Sequence, residues 1–132
     1  MNYELIKNGK WGKLKEDKTY HTPITSYRAS LDLKTFQCEL FLDGRLVIRK
    51  GSEWDFGSWA IDTPAMVEAS LAHDAICHLT NYRKIPWEYR KVGDAYFRHL
   101  LQDNGGVVSP WWRWAGVSMY SQLVARWKDK KC

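Results

Sequence analysis

The periodicity of this chain changes once, near Thr63-Pro64, and that change limits what it can fold into. Before it, apolar residues alternate with polar ones; after it, they recur at intervals of three and four. Strands followed by helices imply an α+β fold, an N-terminal antiparallel β-sheet of hairpins packed against about three C-terminal helices. The clearest strand signal is Phe36-Gln37-Cys38-Glu39-Leu40-Phe41-Leu42 and Arg45-Leu46-Val47-Ile48-Arg49 around Asp43-Gly44. Asp-Gly supplies the positive φ angles of a type I′ turn, so a tight hairpin is predicted there. A second hairpin is predicted where Tyr3-Glu4-Leu5-Ile6-Lys7 and Trp11-Gly12-Lys13-Leu14 flank Asn8-Gly9. Thr25 to Leu33 alternates as a further strand, with Tyr27, Ala29, Leu31 and Leu33 on one face. Lys50 to Asp62 shows neither period and reads as an ordered loop with short turns.

Thr63 is suited to cap a helix and Pro64 to occupy its first position. Helix one is predicted from Pro64 to about Thr80, with Met66, Ala69, Ser70, Ala72, His73, Ile76 and Cys77 at packed-face spacing and Asn81 as its end. Pro86 opens helix two, which should stop near Asn104-Gly105-Gly106. Ser109-Pro110 repeats the start signal for helix three, which should run to about Lys128. The 132 residues suit one domain over 1–132, with a β-rich half over 1–50, an ordered loop over 51–62 and a helical half over 63–128.

The cysteines, Cys38, Cys77 and Cys132, are odd in number, widely spaced and without a CxxC pair. They argue against a disulfide scaffold or a thiolate zinc site, and Cys77 reads as a small core residue. Met1 to Lys10 lacks the apolar core of a secretory signal, and no run is long and apolar enough to span a bilayer. The expected location is the cytoplasm, with no membrane partner. The net charge of +5 permits a phosphate-rich partner without requiring one, and the basic stretches Lys7 to Lys18 and Lys128 to Lys131 read as solvated tails. No nucleic-acid motif is present, so nucleic acid is not the expected partner. Eight tryptophans is a high count. Trp111, Trp112 and Trp114 cannot all face one way on a helix, so at least one ring is expected at a surface or groove, where it could anchor a protein partner.

The stretch Ser70-Leu71-Ala72-His73-Asp74-Ala75-Ile76-Cys77-His78 sets His73 beside Asp74 in an apolar helical run. A buried carboxylate is costly unless it is paired or bound to a metal. Asp94 lies in a similar run between Arg90 and Arg98, one helical turn to either side, and Asp55 sits in the Gly/Trp-rich segment that also holds Trp54 and Ser58. His73 and Asp74 read as a general acid/base pair, and Asp55, His73, Asp74 and Asp94 as ligands of a divalent zinc, manganese or magnesium ion. Ser58, Trp54 and Arg90 read as binding residues. The structural alternative makes His73 a core imidazole and the Arg90–Asp94–Arg98 ladder a surface device. Gly93 implies close approach of another backbone or of a bulky ring such as Trp54 or Trp59, because mid-helix glycine costs about 1 kcal/mol relative to alanine. No GxSxG, P-loop, GxGxxG or HExxH motif occurs.

The order Lys50-Gly51, Trp54-Asp55-Phe56-Gly57-Ser58, then Ala72-His73-Asp74, then Gly93-Asp94-Ala95-Tyr96-Phe97 resembles a family of small tailed-phage and prophage proteins catalogued as domain of unknown function 1353. The resemblance covers about Arg45 to Leu100. It departs at Ile76-Cys77-His78, where the family has an aromatic, and at Pro64, where the family's proline comes sooner after the serine. It implies a phage or prophage origin, and with it the host cytoplasm or the virion as location, and directs attention to Asp55, His73, Asp74 and Asp94.

Two functional expectations follow. One is a small phage accessory protein acting as a metal-assisted hydrolase, the ion lowering the pKa of bound water towards about 7. The other is a non-catalytic phage protein that binds a host or virion protein through an aromatic patch, with the His/Asp cluster structural.

Overall fold

The computed structural model describes residues 1–9, 11–55 and 64–104. Within them the fold is α+β, with two antiparallel sheets in place of the single sheet expected. The strands are β1 (Tyr3–Ile6), β2 (Trp11–Leu14), β3 (Lys18–His21), β4 (Ala29–Asp32), β5 (Gln37–Leu40), β6 (Arg45–Ile48) and β7 (Glu53–Asp55). The helices are α1 (Pro64–Asn81) and α2 (Tyr89–Asn104). The expected third helix, from Ser109-Pro110 to about Lys128, lies outside the described residues.

One sheet has the order β1-β2-β7 and the other β3-β6-β5-β4. Two strands depart from the sequence reading. Lys18–His21 forms β3 beside β6 and buries Tyr20, so Lys7 to Lys18 is not a solvated tail. Glu53–Asp55 forms β7 beside β2, with Trp11 opposite Asp55, so the segment read as loop begins as a strand. A strand this short shows no period of its own; its backbone partners make it a strand.

The turns explain the registers. Between β5 and β6 only Gly44 takes a positive φ, at 91°, so the turn is not the predicted type I′ pair. The Arg45 N–H donates to Asp43 Oδ1 at 3.1 Å, and Phe41 and Arg45 close the loop across Leu42-Asp43-Gly44. This is a three-residue loop ending in a left-handed glycine. The Gly44 carbonyl accepts from the Thr22 N–H and the Thr22 hydroxyl, both at 2.8 Å, and a Cβ on Gly44 would collide with the Thr22 carbonyl. The β1–β2 hairpin forms around Asn8-Gly9 as predicted, with Ile6 opposite Trp11.

One apolar core joins both sheets to α1 through Leu14, Leu31, Leu40, Leu46, Ile48, Trp54, Leu71 and Ile76. Polar anchors fix α1 over it. The Trp54 indole donates to Ser70 Oγ at 3.1 Å, and the Tyr20 hydroxyl donates to the Glu68 carbonyl at 2.6 Å. Tyr96 meets Tyr20, and Tyr89 meets Tyr27, edge to face, which seats α2 against β3 and the chain just before β4. Cys38 is a buried free thiol. Cys77 is buried too, but it is a disulfide cysteine rather than the free core thiol expected, and its partner is not among the described residues. Among the described residues no helix is long and apolar enough to cross a membrane.

Burial pushes the Cys38 thiol up to about 12, and burial together with the nearby Glu68 raises the Tyr20 phenol well above 10. Both acids are held protonated by the fold, so their contribution is complete below the unfolded values near 9 and 10. It is lost as pH rises through that range towards the folded values. Each group costs at most about 1.4 kcal/mol per pH unit in that window. The expected result is a melting temperature that falls between pH 9 and pH 11, with a shallower fall in Cys38→Val, measured by circular dichroism.

Candidate functional site

The two helices form an antiparallel hairpin, and one polar contact marks its middle. His73 Nε2 lies 2.7 Å from Asp94 Oδ1. An ionised carboxylate only accepts, so Nε2 carries the hydrogen and the imidazole donates. One turn along, the Arg90 guanidinium donates to Cys77 Sγ at 2.9 Å. A step of four residues forward on α1 is thus a step of four back on α2, and the two polar rungs lie about 6 Å apart along the axis. Between them a Cβ on Gly93 would lie 2.9 Å from Ile76 Cγ2. The mid-helix glycine is therefore explained by the opposing Ile76 side chain and not by the Trp54 ring; Trp59, the other ring the sequence suggested, lies outside the described residues. The Phe97 ring meets the His73 ring edge to face at 5.8 Å and closes one side of the seam.

Of the residues singled out in the sequence, His73 and Asp94 are brought together across the seam. Asp74 is half-buried and follows His73 on α1, about 100° further round the helix, and it is His73 that bonds to Asp94. Asp55 ends β7, where strand alternation assigns it to the face opposite the Trp54 side chain that packs on α1. Among the described residues no group of three or more His, Cys, Asp or Glu side chains is close enough to hold a metal ion. The expected centre of Asp55, His73, Asp74 and Asp94 is thus represented by the His73–Asp94 pair. Ser58, Trp111, Trp112 and Trp114 lie outside the described residues. Arg90 is half-buried, and besides Cys77 it covers the Trp87 ring, its guanidinium 4.5 Å from the ring centroid.

The exposure of the pair decides what it can do. In a nucleophile-activating dyad the carboxylate is buried and the imidazole faces the nucleophile. Here the order is reversed, with the His73 side chain 3% exposed and that of Asp94 25% exposed. The imidazole is enclosed between helices, and the carboxylate reaches the surface.

A second feature lies at the hairpin turn, and sequence reasoning passed over it. A cleft of about 570 Å³ is lined by Thr80, Asn81, Arg83, Lys84, Ile85, Pro86 and Trp87. That volume lies within the roughly 300–1,000 Å³ of small-ligand pockets. Trp87 is 59% exposed and Tyr82 52%. The turn ends α1 with Arg83 N–H donating to the Thr80 carbonyl at 3.1 Å and Lys84 N–H to the Leu79 carbonyl at 2.9 Å. This double closure puts Arg83 in the left-handed region, at φ 55°. Glycine adopts that conformation freely, whereas an L-residue pays roughly 1–2 kcal/mol. The signal available in the sequence was Pro86-Trp87 beside Arg83-Lys84, an apolar ring next to two cations.

Compared with known proteins, the chain matches no family model, no curated protein and no solved structure. The likeness to the phage family therefore rests on its short motifs alone.

Two stability experiments test the seam. His73→Ala and Asp94→Ala are each expected to destabilise by about 2–4 kcal/mol, with a coupling of about 1–3 kcal/mol in the double variant. Urea titration of the complete cycle measures it, and additive losses would deny the pairing. Gly93→Ala gains helix propensity but overpacks Ile76, for a net loss of about 1 kcal/mol. Ile76→Ala should partly rescue it, and Ile76→Val, which retains the opposing methyl, should not.

Proposed function

We propose that this chain is a small phage or prophage accessory protein that acts by binding another protein, from the host or the virion. In this reading the His73–Asp94 pair is a structural clasp, and the helical hairpin it holds presents the binding surface. The observation that carries it is the inverted exposure of the pair, with the imidazole enclosed and the carboxylate outward. An enclosed imidazole is poorly placed to take a proton from a substrate or water, and well placed to hold two helices in one register. The exposed Trp87 and Tyr82 supply aromatic anchors of the kind that dominate protein interfaces.

One observation favours metal-assisted hydrolysis as the second reading. A carboxylate steadied from behind by an imidazole, with its outer side open, is the arrangement of an oriented metal ligand. Asp94 would then be the ligand, His73 its positioning residue, and Asp55 and Asp74 the carboxylates that have to converge on the same ion.

Titration calorimetry with zinc, manganese and magnesium separates the two. The binding reading expects no site tighter than millimolar. It also expects Asp94→Asn to retain a partner captured from phage-infected cells by in-cell crosslinking. A micromolar site lost in Asp94→Asn would replace it with the hydrolase, and a wild-type chain that crosslinks to no protein would remove it.

A further inference from the structure

The turn between α1 and α2 carries a second, independent oddity beside its cleft. Arg83 occupies a left-handed backbone position that glycine would fill without strain. Its backbone bonds to Thr80, and those of Lys84 to Leu79, would form equally well with glycine there. What arginine adds is its guanidinium, and that side chain is exposed at the rim of the cleft, next to the exposed Lys84. The cleft wall is otherwise apolar at Ile85, Pro86 and Trp87 and hydrogen-bonding at Thr80 and Asn81. The Arg90 guanidinium over Trp87 steadies the ring and adds positive charge behind it. Among the described residues no acidic side chain lines the cleft. The C-terminal end of α1 and the N-terminal end of α2 meet at this turn, so their opposite dipoles largely offset each other and the side chains set the local charge.

We propose that this cleft is a docking site for an acidic peptide segment of a partner protein, with a carboxylate on Arg83 and Lys84 and an apolar side chain against Trp87. Arginine pairs with carboxylate through two parallel N–H bonds, a geometry that a strained but fixed backbone position can hold in place. A nucleic-acid strand fits less well. Tight phosphate-backbone binding uses roughly 6–10 cationic contacts, and the cleft rim offers Arg83 and Lys84. Exposed Glu88, adjacent in sequence, would also repel a continuous phosphate chain but be tolerated by a peptide of mixed composition. The inference rests on the reading of the chain as a protein-binding protein and names the site and the chemistry of its ligand.

The test uses a random 12-residue peptide library displayed on phage, selected on the full chain and then counter-selected on Arg83→Gly and on Trp87→Ala, both checked for folding by circular dichroism. The expected survivors carry Asp or Glu beside a Leu, Phe or Trp. Synthesised and measured by fluorescence anisotropy, they should bind at least tenfold more weakly to either variant and lose affinity as salt is raised. Arg83→Gly should at the same time raise the melting temperature by about 3 °C, which separates loss of binding from loss of fold. Enrichment of no peptide, survivors that lack acidic residues, undiminished binding to both variants, or tighter binding of a 12-mer oligothymidylate would overturn the proposal. If crosslinking finds a partner on another surface while the library fails, the cleft proposal falls and the binding function stands.

Discussion

The hydrogen bond from His73 to Asp94 sets the register of the helical hairpin, and most of what is distinctive about this molecule follows from that register. An imidazole enclosed in an apolar seam has to find a partner, because an unsatisfied polar group there would cost a few kcal/mol. Asp94 is that partner, and meeting it brings Gly93 onto Ile76 and Arg90 onto Cys77. Sliding the helices by one residue would break both polar rungs and drive Ile76 into a backbone with a side chain in its path. The seam therefore specifies one arrangement, which apolar packing alone does less strictly.

The same register connects the seam to the surface. Arg90 belongs to both, bonded to Cys77 on one side and laid over Trp87 on the other. Through it, the position of the Trp87 ring depends on contacts made a full helical turn away. The sheets contribute from the opposite side. Trp54 and Tyr20 hold α1 by hydrogen bonds to Ser70 and to the Glu68 carbonyl, so α1 is fixed at its sheet face as well as at the face it turns to α2.

Some of this was legible in the sequence, for physical reasons that differ by element. Helix α1 could be read almost to the residue because its apolar spacing is regular and Pro64 marks its first turn. The β5–β6 hairpin was legible because strong alternation flanks Asp43-Gly44, although the turn type was not, since the Asp43 carboxylate takes the Arg45 N–H and leaves only Gly44 left-handed. Strand β3 was missed because one buried side chain, Tyr20, stands among Lys18, Thr19 and His21. Strand β7 was missed because three residues show no period. At the candidate site, the burial of His73 was readable from its neighbours. Its partner was not, because Asp94 has arginines one turn away on its own helix, and only the hairpin register shows that it turns to α1 instead. Arg83 gave no warning at all, since nothing in a sequence marks a left-handed arginine.

The contact of Gly93 with Ile76 has a mechanical consequence. Helices this close have little room to slide past each other, so under load the hairpin would behave as a lever and not as two independent rods. A load applied at its tip, at Tyr82 or Trp87, would travel down both arms together and reach the sheets through Trp54 and Tyr20 beneath α1 and through the Tyr20–Tyr96 contact beneath α2.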